Sequence, residues 1–170
     1  MQPILFVGNR RGYKNFRVFL IAMSIVFQQR HDTNCLCVGE PFMSDEIAAM
    51  DFLRIRHRMM RVEASDSDMP LLYRNSGVFV FPSYYEGFGL PILEALNEGC
   101  PVACSDIPVF HEVAKSRAVY FDPHDACSIA EAVGTALDCE REFWFPKNNT
   151  NGFSWEKTAK ETIDIYNGVI

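Results

Sequence analysis

Six short, continuously apolar runs alternate with longer helical patterns along most of this 170-residue chain. These runs lie at 4–8, 34–39, 59–64, 78–83, 101–106 and 118–122. The fourth contains "VFVF" with no polar alternation, which is typical of a strand that is covered on both faces. Alternation of such strands with helices favours a parallel sheet with right-handed crossovers. We therefore predict a doubly wound, Rossmann-like α/β fold with a parallel six-stranded sheet and helices on both faces.

A single domain accounts for the whole chain, because no linker, repeat or low-complexity tract interrupts it. Helices are predicted near 16–30, 44–54, 67–75, 90–98, 108–115 and 125–139. An irregular connector at 140–152 follows, and Ser154 is placed to cap a final helix at 154–170. Trp155, Ala159, Ile163 and Tyr166 share one face of that helix. The predicted domain therefore spans 1–170.

Charge and cysteine usage narrow the function classes. The net charge of -6 argues against a general binder of nucleic acids or anionic membranes. The six cysteines form no C-x-x-C pair and have no histidine at zinc-site spacing, so we expect most of them to be buried hydrophobes in a reducing compartment. The apolar segment 18–27 is shorter than the ~20 residues that span a bilayer and predicts a buried helix. We expect a cytoplasmic protein that contacts the inner face of a membrane only as part of a larger protein.

The segment "PSYYEGFGLPILEAL" (82–96) follows the fourth predicted strand, at the sheet edge where doubly wound folds bind ligands. Gly87 and Gly89 permit a tight turn and a close approach of backbone to a ligand. Pro91 suits the first turn of a helix, which we expect to begin at about Leu90. The N-terminus of a helix attracts phosphate and sugar oxygens through its N–H groups and dipole. This segment is therefore the first candidate binding site.

Two carboxylates frame the glycine turn. Glu86 precedes it, and Glu94 lies about one turn into the predicted helix. An acid near a helix N-terminus stabilises the helix by about 0.3–1 kcal/mol without any ligand, so Glu94 alone would be ambiguous. A pair of acids around a turn at the binding edge of the sheet favours ligand binding over a purely helix-stabilising role.

A dinucleotide site is the competing interpretation of this turn. Gly87 and Gly89 match the first two positions of the G-x-G-x-x-G fingerprint, and Asp106 resembles the acid that holds a ribose. Ile92, however, occupies the third position, where glycine is needed for close packing of helix on strand. The turn also follows the fourth strand, whereas the fingerprint belongs to the first. Nicotinamide binding is therefore disfavoured.

The loop "GNRRGYKN" (8–15) follows the first predicted strand. Gly8 ends the strand and Gly12 bends the loop. Arg10 and Lys14 combine a forked donor with a mobile point charge, a pairing that suits a diphosphate. A solvated basic turn is the alternative interpretation. The loop lies at the same edge of the sheet as the glycine turn, and this position favours the binding of an anionic ligand.

No metal site is expected. "DSD" (66–68) imitates a metal-binding D-x-D, but it precedes a helical pattern, so we interpret Asp66 as a helix cap. "HEVAK" has Lys115 where a zinc H-E-x-x-H motif needs histidine. His111 is therefore interpreted as structural.

Together, "FVGNRRGYKN", "PSYYEGFGLPILEAL", "GCPVACSDIPVFHEV" and "AVYFDPHD" resemble the C-terminal, donor-binding domain of family-four retaining glycosyltransferases of the GT-B fold, also called glycosyl transferases group one. The closing "FSWEKTAKETIDIY" is similar to the last helix of that family. The resemblance covers nearly the whole chain, and the E-x7-E spacing is its most specific part. It implies a domain that binds a nucleotide-diphosphate sugar.

The resemblance also implies roles for individual residues. Glu94 would accept hydrogen bonds from the ribose of the donor, and Glu86 would contact the transferred sugar and stabilise positive charge near its anomeric carbon. Arg10 and Lys14 would neutralise the departing diphosphate, a form of electrostatic catalysis. The turn itself would hold sugar hydroxyls or phosphate through its backbone; its substrate-binding residues would be Gly87, Phe88, Gly89 and Leu90.

For the protein as a whole, the resemblance implies a hexosyltransferase, with mannose transfer favoured by the "YKN" loop. It would retain anomeric configuration without a protein nucleophile, a metal or a cofactor. The donor would be GDP-mannose or a UDP-sugar, and the acceptor a glycan or a lipid-linked sugar in polysaccharide assembly. The N-terminal acceptor domain of the family is absent from this chain, so we expect the chain to need that domain or a partner chain and to be inactive alone. The alternatives are a catalytically silent nucleotide-sugar-binding subunit, a nucleotide-sugar isomerase and the disfavoured NAD-dependent oxidoreductase.

Overall fold

The computed structural model describes residues 2–140 and 155–169. Its strands are β1 (Ile4–Val7), β2 (Cys35–Val38), β3 (Met59–Val62), β4 (Val78–Phe81), β5 (Val102–Ser105) and β6 (Val119–Phe121). All neighbouring strands pair in parallel, in the order β3-β2-β1-β4-β5-β6. The predicted parallel, six-stranded sheet is confirmed.

Seven α-helices connect and follow the strands in the described residues: α1 (Phe16–Gln29), α2 (Ser44–Phe52), α3 (Met69–Asn75), α4 (Leu90–Asn97), α5 (Pro108–Ala114), α6 (Ala126–Asp138) and α7 (Trp155–Val169). Helix α1 contacts α2 and α6, whereas α4 contacts α3 and α5. The two sets cover opposite faces of the sheet, which confirms the doubly wound, Rossmann-like fold. Two 3-10 turns, Gly12–Lys14 and Arg56–Arg58, were not predicted.

Strand order reverses between β1 and β4. The chain proceeds from β1 outward through β2 and β3, then crosses back to β4 and proceeds outward through β5 and β6. The loops that leave the carboxyl ends of β1 and β4 therefore lie side by side, at the point where doubly wound folds form a ligand-binding crevice. Both candidate binding loops of the sequence lie at this crevice.

The predicted element bounds differ from the structure at their ends. Each strand is one or two residues shorter than the apolar run that predicted it. In the fourth run, Pro82 and Ser83 are buried but belong to the loop, because proline has no N–H to donate to the ladder. The interpretation of Asp66 as a helix cap is wrong. Helix α3 begins at Met69, and the carboxylate of the preceding Asp68 accepts hydrogen bonds from Ser65 instead.

The core is continuous on both faces of the sheet. The residues of β4 are at most 1% exposed, as expected for a central strand without polar alternation. Four cysteines are buried, as predicted: Cys35, Cys37, Cys100 and Cys104. Cys127 is exposed on the first turn of α6, which is compatible with a prediction that covered most of the cysteines.

Helix α7 is confirmed, whereas the predicted connector after residue 140 and the Ser154 cap lie outside the described residues. Ile163 and Tyr166, on the predicted apolar face of α7, are 57% and 68% exposed. Among the helices in 2–140 and 155–169, none is both long and apolar enough to cross a membrane.

Candidate functional site

The loops after β1 and β4 are joined at the crevice. The amide of Tyr84 donates to the carbonyl of Tyr13 at 2.8 Å. Beside this contact, Nζ of Lys14 donates to Oε1 of Glu86 at 2.6 Å. Both side chains are 13% exposed, so this is a largely buried, charge-assisted hydrogen bond. The structure thus brings together two of the predicted catalytic residues, from loops 72 positions apart in the chain.

The surroundings of Lys14 are mostly aromatic. Its Nζ lies 4.7 Å from the ring centroid of Phe81 and 5.3 Å from that of Tyr13. A Cβ on Gly8, whose φ of +120° suits glycine, would lie 4.0 Å from the same nitrogen. The ammonium group is therefore shielded by rings and backbone, and the carboxylate of Glu86 supplies its counter-charge.

The glycine turn ends at Gly89, which precedes the first residue of α4. Gly89 has a φ of +96°, and a Cβ there would lie 3.1 Å from Cε1 of Phe110. Both observations require glycine at this position. Helix α4 begins at Leu90, as predicted, and the side chains of Phe88 and Leu90 are 39% and 47% exposed. The turn therefore places the N-terminus of α4 at the surface of the crevice.

Glu94 lies one turn into α4, and its Oε2 accepts a hydrogen bond from the hydroxyl of Tyr73 at 3.0 Å. Tyr73 is fully buried, and burial, followed by the charge of Glu94, raises the pKa of its phenol. The hydroxyl consequently stays protonated as a donor to the carboxylate. Sequence reasoning missed Tyr73, because a tyrosine in a short helical pattern gives no signal of its partner.

A cleft of about 290 Å³ opens between α3 and α4 on the side of Glu94. Its lining is Asp66, Met69, Pro70, Tyr73, Glu94, Asn97 and Glu98. The lining combines apolar side chains with carboxylates, which is a suitable composition for a planar ring that carries a hydroxylated sugar. Ile92, at the position where a dinucleotide fingerprint needs its third glycine, is fully buried.

The side chain of Arg10 is held by the loop after β2 and by the first turn of α2. Its Nε donates to both carboxylate oxygens of Glu46 at 3.1 and 3.2 Å. Its Nη2 donates to the carbonyls of Glu40 and Pro41 at 2.7 and 2.8 Å. Its Nη1 is buried and has no partner among the described residues. The expected contact of Arg10 with a diphosphate stays a prediction, and the structure gives Arg10 and Lys14 a carboxylate each.

Glu46 was not anticipated as part of this region. Besides Arg10, its carboxylate accepts a hydrogen bond from the amide of Met43 at 2.8 Å, at the start of α2. A carboxylate in the first turn of a helix is a common capping signal. The sequence contained that signal at 44–54, but nothing in it identified Arg10 as the second donor.

The loop after β6 also reaches the crevice. Nδ2 of Asn15 donates to the carbonyl of Pro123 at 2.7 Å, and the ring of His124 stacks on Tyr84 with centroids 4.8 Å apart. Three loops, after β1, β4 and β6, are therefore fixed to one another at the site.

His111 has a structural setting. Its Nε2 lies 2.6 Å from Oδ1 of Asp106, and its ring stacks on Tyr120 at 4.0 Å. Within 2–140 and 155–169, no group of three or more histidine, cysteine or acidic side chains is arranged to hold a metal ion. The expectation of a metal-independent site stays a prediction.

Comparison with known proteins identifies relatives over nearly the whole chain. Residues 2–150 match the family described as "Glycosyl transferases group 1". Over 105 residues, 59% of this chain and 28% of the other, the sequence is 40% identical to the "O-antigen chain mannosyltransferase B" of Escherichia coli. Over 162 residues, 92% of this chain and 20% of the other, it is 38% identical to the "Serotype-specific mannosyltransferase WbdA" of the same species.

Among solved structures, the fold is similar to that of TarM from S. aureus, with a TM-score of 0.85 at 16% identity. The match covers 98% of this chain and 35% of TarM. The chain thus spans well under half the length of these proteins, and corresponds to one of their domains.

Proposed function

The chain belongs to the glycosyl transferases group 1 family, as the C-terminal domain of a GT-B glycosyltransferase, and from this premise we propose that it binds the nucleotide-diphosphate sugar for a retaining hexosyl transfer. The names of its relatives favour mannose as the transferred sugar. GDP-mannose is accordingly the first donor to test, and UDP-sugars are the second. The acceptor would be a glycan or a lipid-linked sugar.

The pairing of Lys14 with Glu86 at the switch point is the observation that carries this proposal. A partly buried ammonium group at the end of β1 suits a diphosphate, and a carboxylate 2.6 Å away suits the sugar attached to it. As the bond to the anomeric carbon breaks, Lys14 would offset the charge that develops on the diphosphate. Glu86 would stabilise positive charge at the sugar, and both effects are strongest where water is excluded.

The cleft beside Glu94 supports a position for the nucleoside. Tyr73 holds one oxygen of the Glu94 carboxylate, which leaves the other to accept hydrogen bonds from ribose hydroxyls. The seven intervening residues carry the chain through the glycine turn, so the N-terminus of α4 lies between the proposed nucleoside and sugar positions. The backbone of Gly87, Phe88, Gly89 and Leu90 would contact the sugar or phosphate there. No metal or cofactor is proposed, and no side chain is proposed as a nucleophile.

Calorimetric titration with GDP, UDP and their mannose and glucose conjugates tests the donor site. We expect saturable binding of one nucleotide series. Substitution of Glu94 by alanine should weaken that binding at least tenfold, because hydrogen bonds to charged groups contribute ~1.5–3 kcal/mol. Glu131→Ala is the matched control, since Glu131 is an exposed carboxylate on α6, on the opposite face of the sheet.

Absence of binding in both series would contradict the proposal. Binding that Glu94→Ala leaves unchanged would contradict the assigned nucleoside position. Donor binding without transfer, even when a complementary acceptor domain is supplied, would instead favour the catalytically silent subunit.

A further inference from the structure

Glu86 is more than a contact for the sugar. We propose that Glu86 competes with the diphosphate for Lys14, and so makes the site discriminate against free nucleoside diphosphate in favour of the sugar-bearing donor. This inference rests on the proposed function and extends it to the release of the nucleotide product.

The basis is the isolation of the Lys14–Glu86 pair. Among the described residues, Glu86 is the hydrogen-bonding partner of Nζ of Lys14, at 2.6 Å, and the rings of Phe81 and Tyr13 and the backbone at Gly8 lie close to that nitrogen. Both side chains are only 13% exposed, so water reaches each of them poorly. Separation of such a pair leaves a charge that is neither well hydrated nor paired, which is unfavourable.

A diphosphate that binds Lys14 leaves Glu86 as a poorly hydrated and unpaired charge. The carboxylate then lacks its ammonium partner and faces a second anion, and like charges at short distance repel. A donor with its sugar attached brings hydroxyl groups that donate to the carboxylate and compensate it. Free nucleoside diphosphate brings no such donors. The unpaired carboxylate therefore weakens mainly the binding of the product.

The two states of the site then differ in what holds Lys14. While the sugar is attached, Lys14 pairs with the diphosphate and Glu86 accepts hydrogen bonds from the sugar hydroxyls. Once the sugar has moved to the acceptor, Glu86 regains Lys14, and the nucleoside diphosphate loses a cation. Glu86 is therefore a specificity-determining residue for the donor over the product.

The test compares the affinities of GDP, UDP and their mannose and glucose conjugates by calorimetry for the wild type and for Glu86→Gln. We expect Glu86→Gln to bind the free nucleoside diphosphate about tenfold more tightly, ~1.4 kcal/mol, and the nucleotide sugar no more tightly than the wild type. Asp138→Asn is the matched control. It also removes the carboxylate of a 2.6 Å ion pair, with Arg30, but at the edge where the strands begin. It should change neither affinity by more than about twofold.

Two further variants separate competition for Lys14 from a general change in the loop. In the Lys14→Gln background, Glu86→Gln should produce no gain in affinity, because no cation is left to release. Glu86→Asp keeps the charge and should keep the wild-type preference for the sugar-bearing donor. A Lys14-dependent gain in Glu86→Gln supports the inference.

Unchanged or weaker binding of nucleoside diphosphate by Glu86→Gln overturns it. If the wild-type protein still binds the nucleotide sugar in that case, the proposed function is unaffected. Failure of every variant and of the wild type to bind any of these nucleotides overturns both.

Discussion

Cys104 lies in β5 with no exposed surface, and burial, followed by the charge of Asp106, raises the pKa of its thiol. Burial likewise raises the pKa of the Cys35 thiol. In the unfolded chain these thiols ionise near pH ~8.5. Above that pH the unfolded state has lost protons that the folded state keeps. The stabilisation is therefore complete below about pH 8 and is lost as pH rises.

We accordingly expect the free energy of unfolding to fall between about pH 8 and pH 9.5, by up to ~1.4 kcal/mol per pH unit for each such thiol. Urea unfolding at several pH values measures the slope. Cys104→Ala should reduce the slope of the unfolding free energy against pH by the contribution of one thiol. This holds even if the substitution also changes the unfolding free energy at pH 7. An equal slope in Cys104→Ala would show that its thiol ionises alike in both states.

Single residues also show where sequence reasoning ends. The spacing of Glu86 and Glu94 around two glycines indicated both as site residues, because each signal lies within one short segment. Their partners, Lys14 and Tyr73, lie 72 and 21 positions away. Such pairings depend on which strands become neighbours, and no local pattern encodes them. Arg10 illustrates the same point, since its partner Glu46 lies 36 positions away, in the first turn of α2.

At the scale of elements, the junction of the glycine turn and α4 is the most constrained feature. Gly89 combines a φ of +96° with close contact to Phe110, so Gly89→Ala should destabilise the fold by about 2 kcal/mol. Gly87 is its natural control, because a Cβ there would meet no atom within 4 Å and its φ is not positive. Gly87→Ala should change the unfolding free energy by less than about 0.5 kcal/mol. Equal losses in the two variants, measured by urea unfolding, would refute this difference.

The elements themselves were largely predictable, because apolar runs and helix-start residues are local signals. Pro91 lies in the first turn of α4, as predicted, and α5 begins at Pro108, the first residue of the helix predicted at 108–115. The 3-10 turn Gly12–Lys14 was not foreseen, since the loop "GNRRGYKN" has no periodicity to reveal it. That turn orients Lys14 toward Glu86, so the least predictable element is the one that completes the candidate site.

At the scale of the whole molecule, the alternation of strands and helices predicted the sheet but left its strand order open. The order places the loops after β1 and β4 side by side, and this adjacency creates the crevice. The chain matches only 20–28% of the length of the mannosyltransferases described above. That an acceptor site lies outside these 170 residues stays a prediction.

We expect this chain alone to transfer no sugar from GDP-mannose or a UDP-sugar to an added glycan acceptor. Mass spectrometry of the acceptor after incubation measures the transfer. The same assay with a separately supplied acceptor domain of a group 1 glycosyltransferase provides the comparison, and product should appear only there. Glycosylated acceptor formed by this chain alone, and lost in Glu86→Ala, would refute the expectation.

The 2.6 Å contact between Lys14 and Glu86 has a kinetic consequence for the molecule as a whole. Paired charges cancel at a distance, and the chain carries a net charge of -6, so we expect its field to attract an anionic donor from solution only weakly. The donor would arrive by unsteered diffusion, with an association rate constant of roughly 10⁵–10⁶ M⁻¹s⁻¹ and little acceleration at low ionic strength. Selection among nucleotides would then be made by how long each one stays.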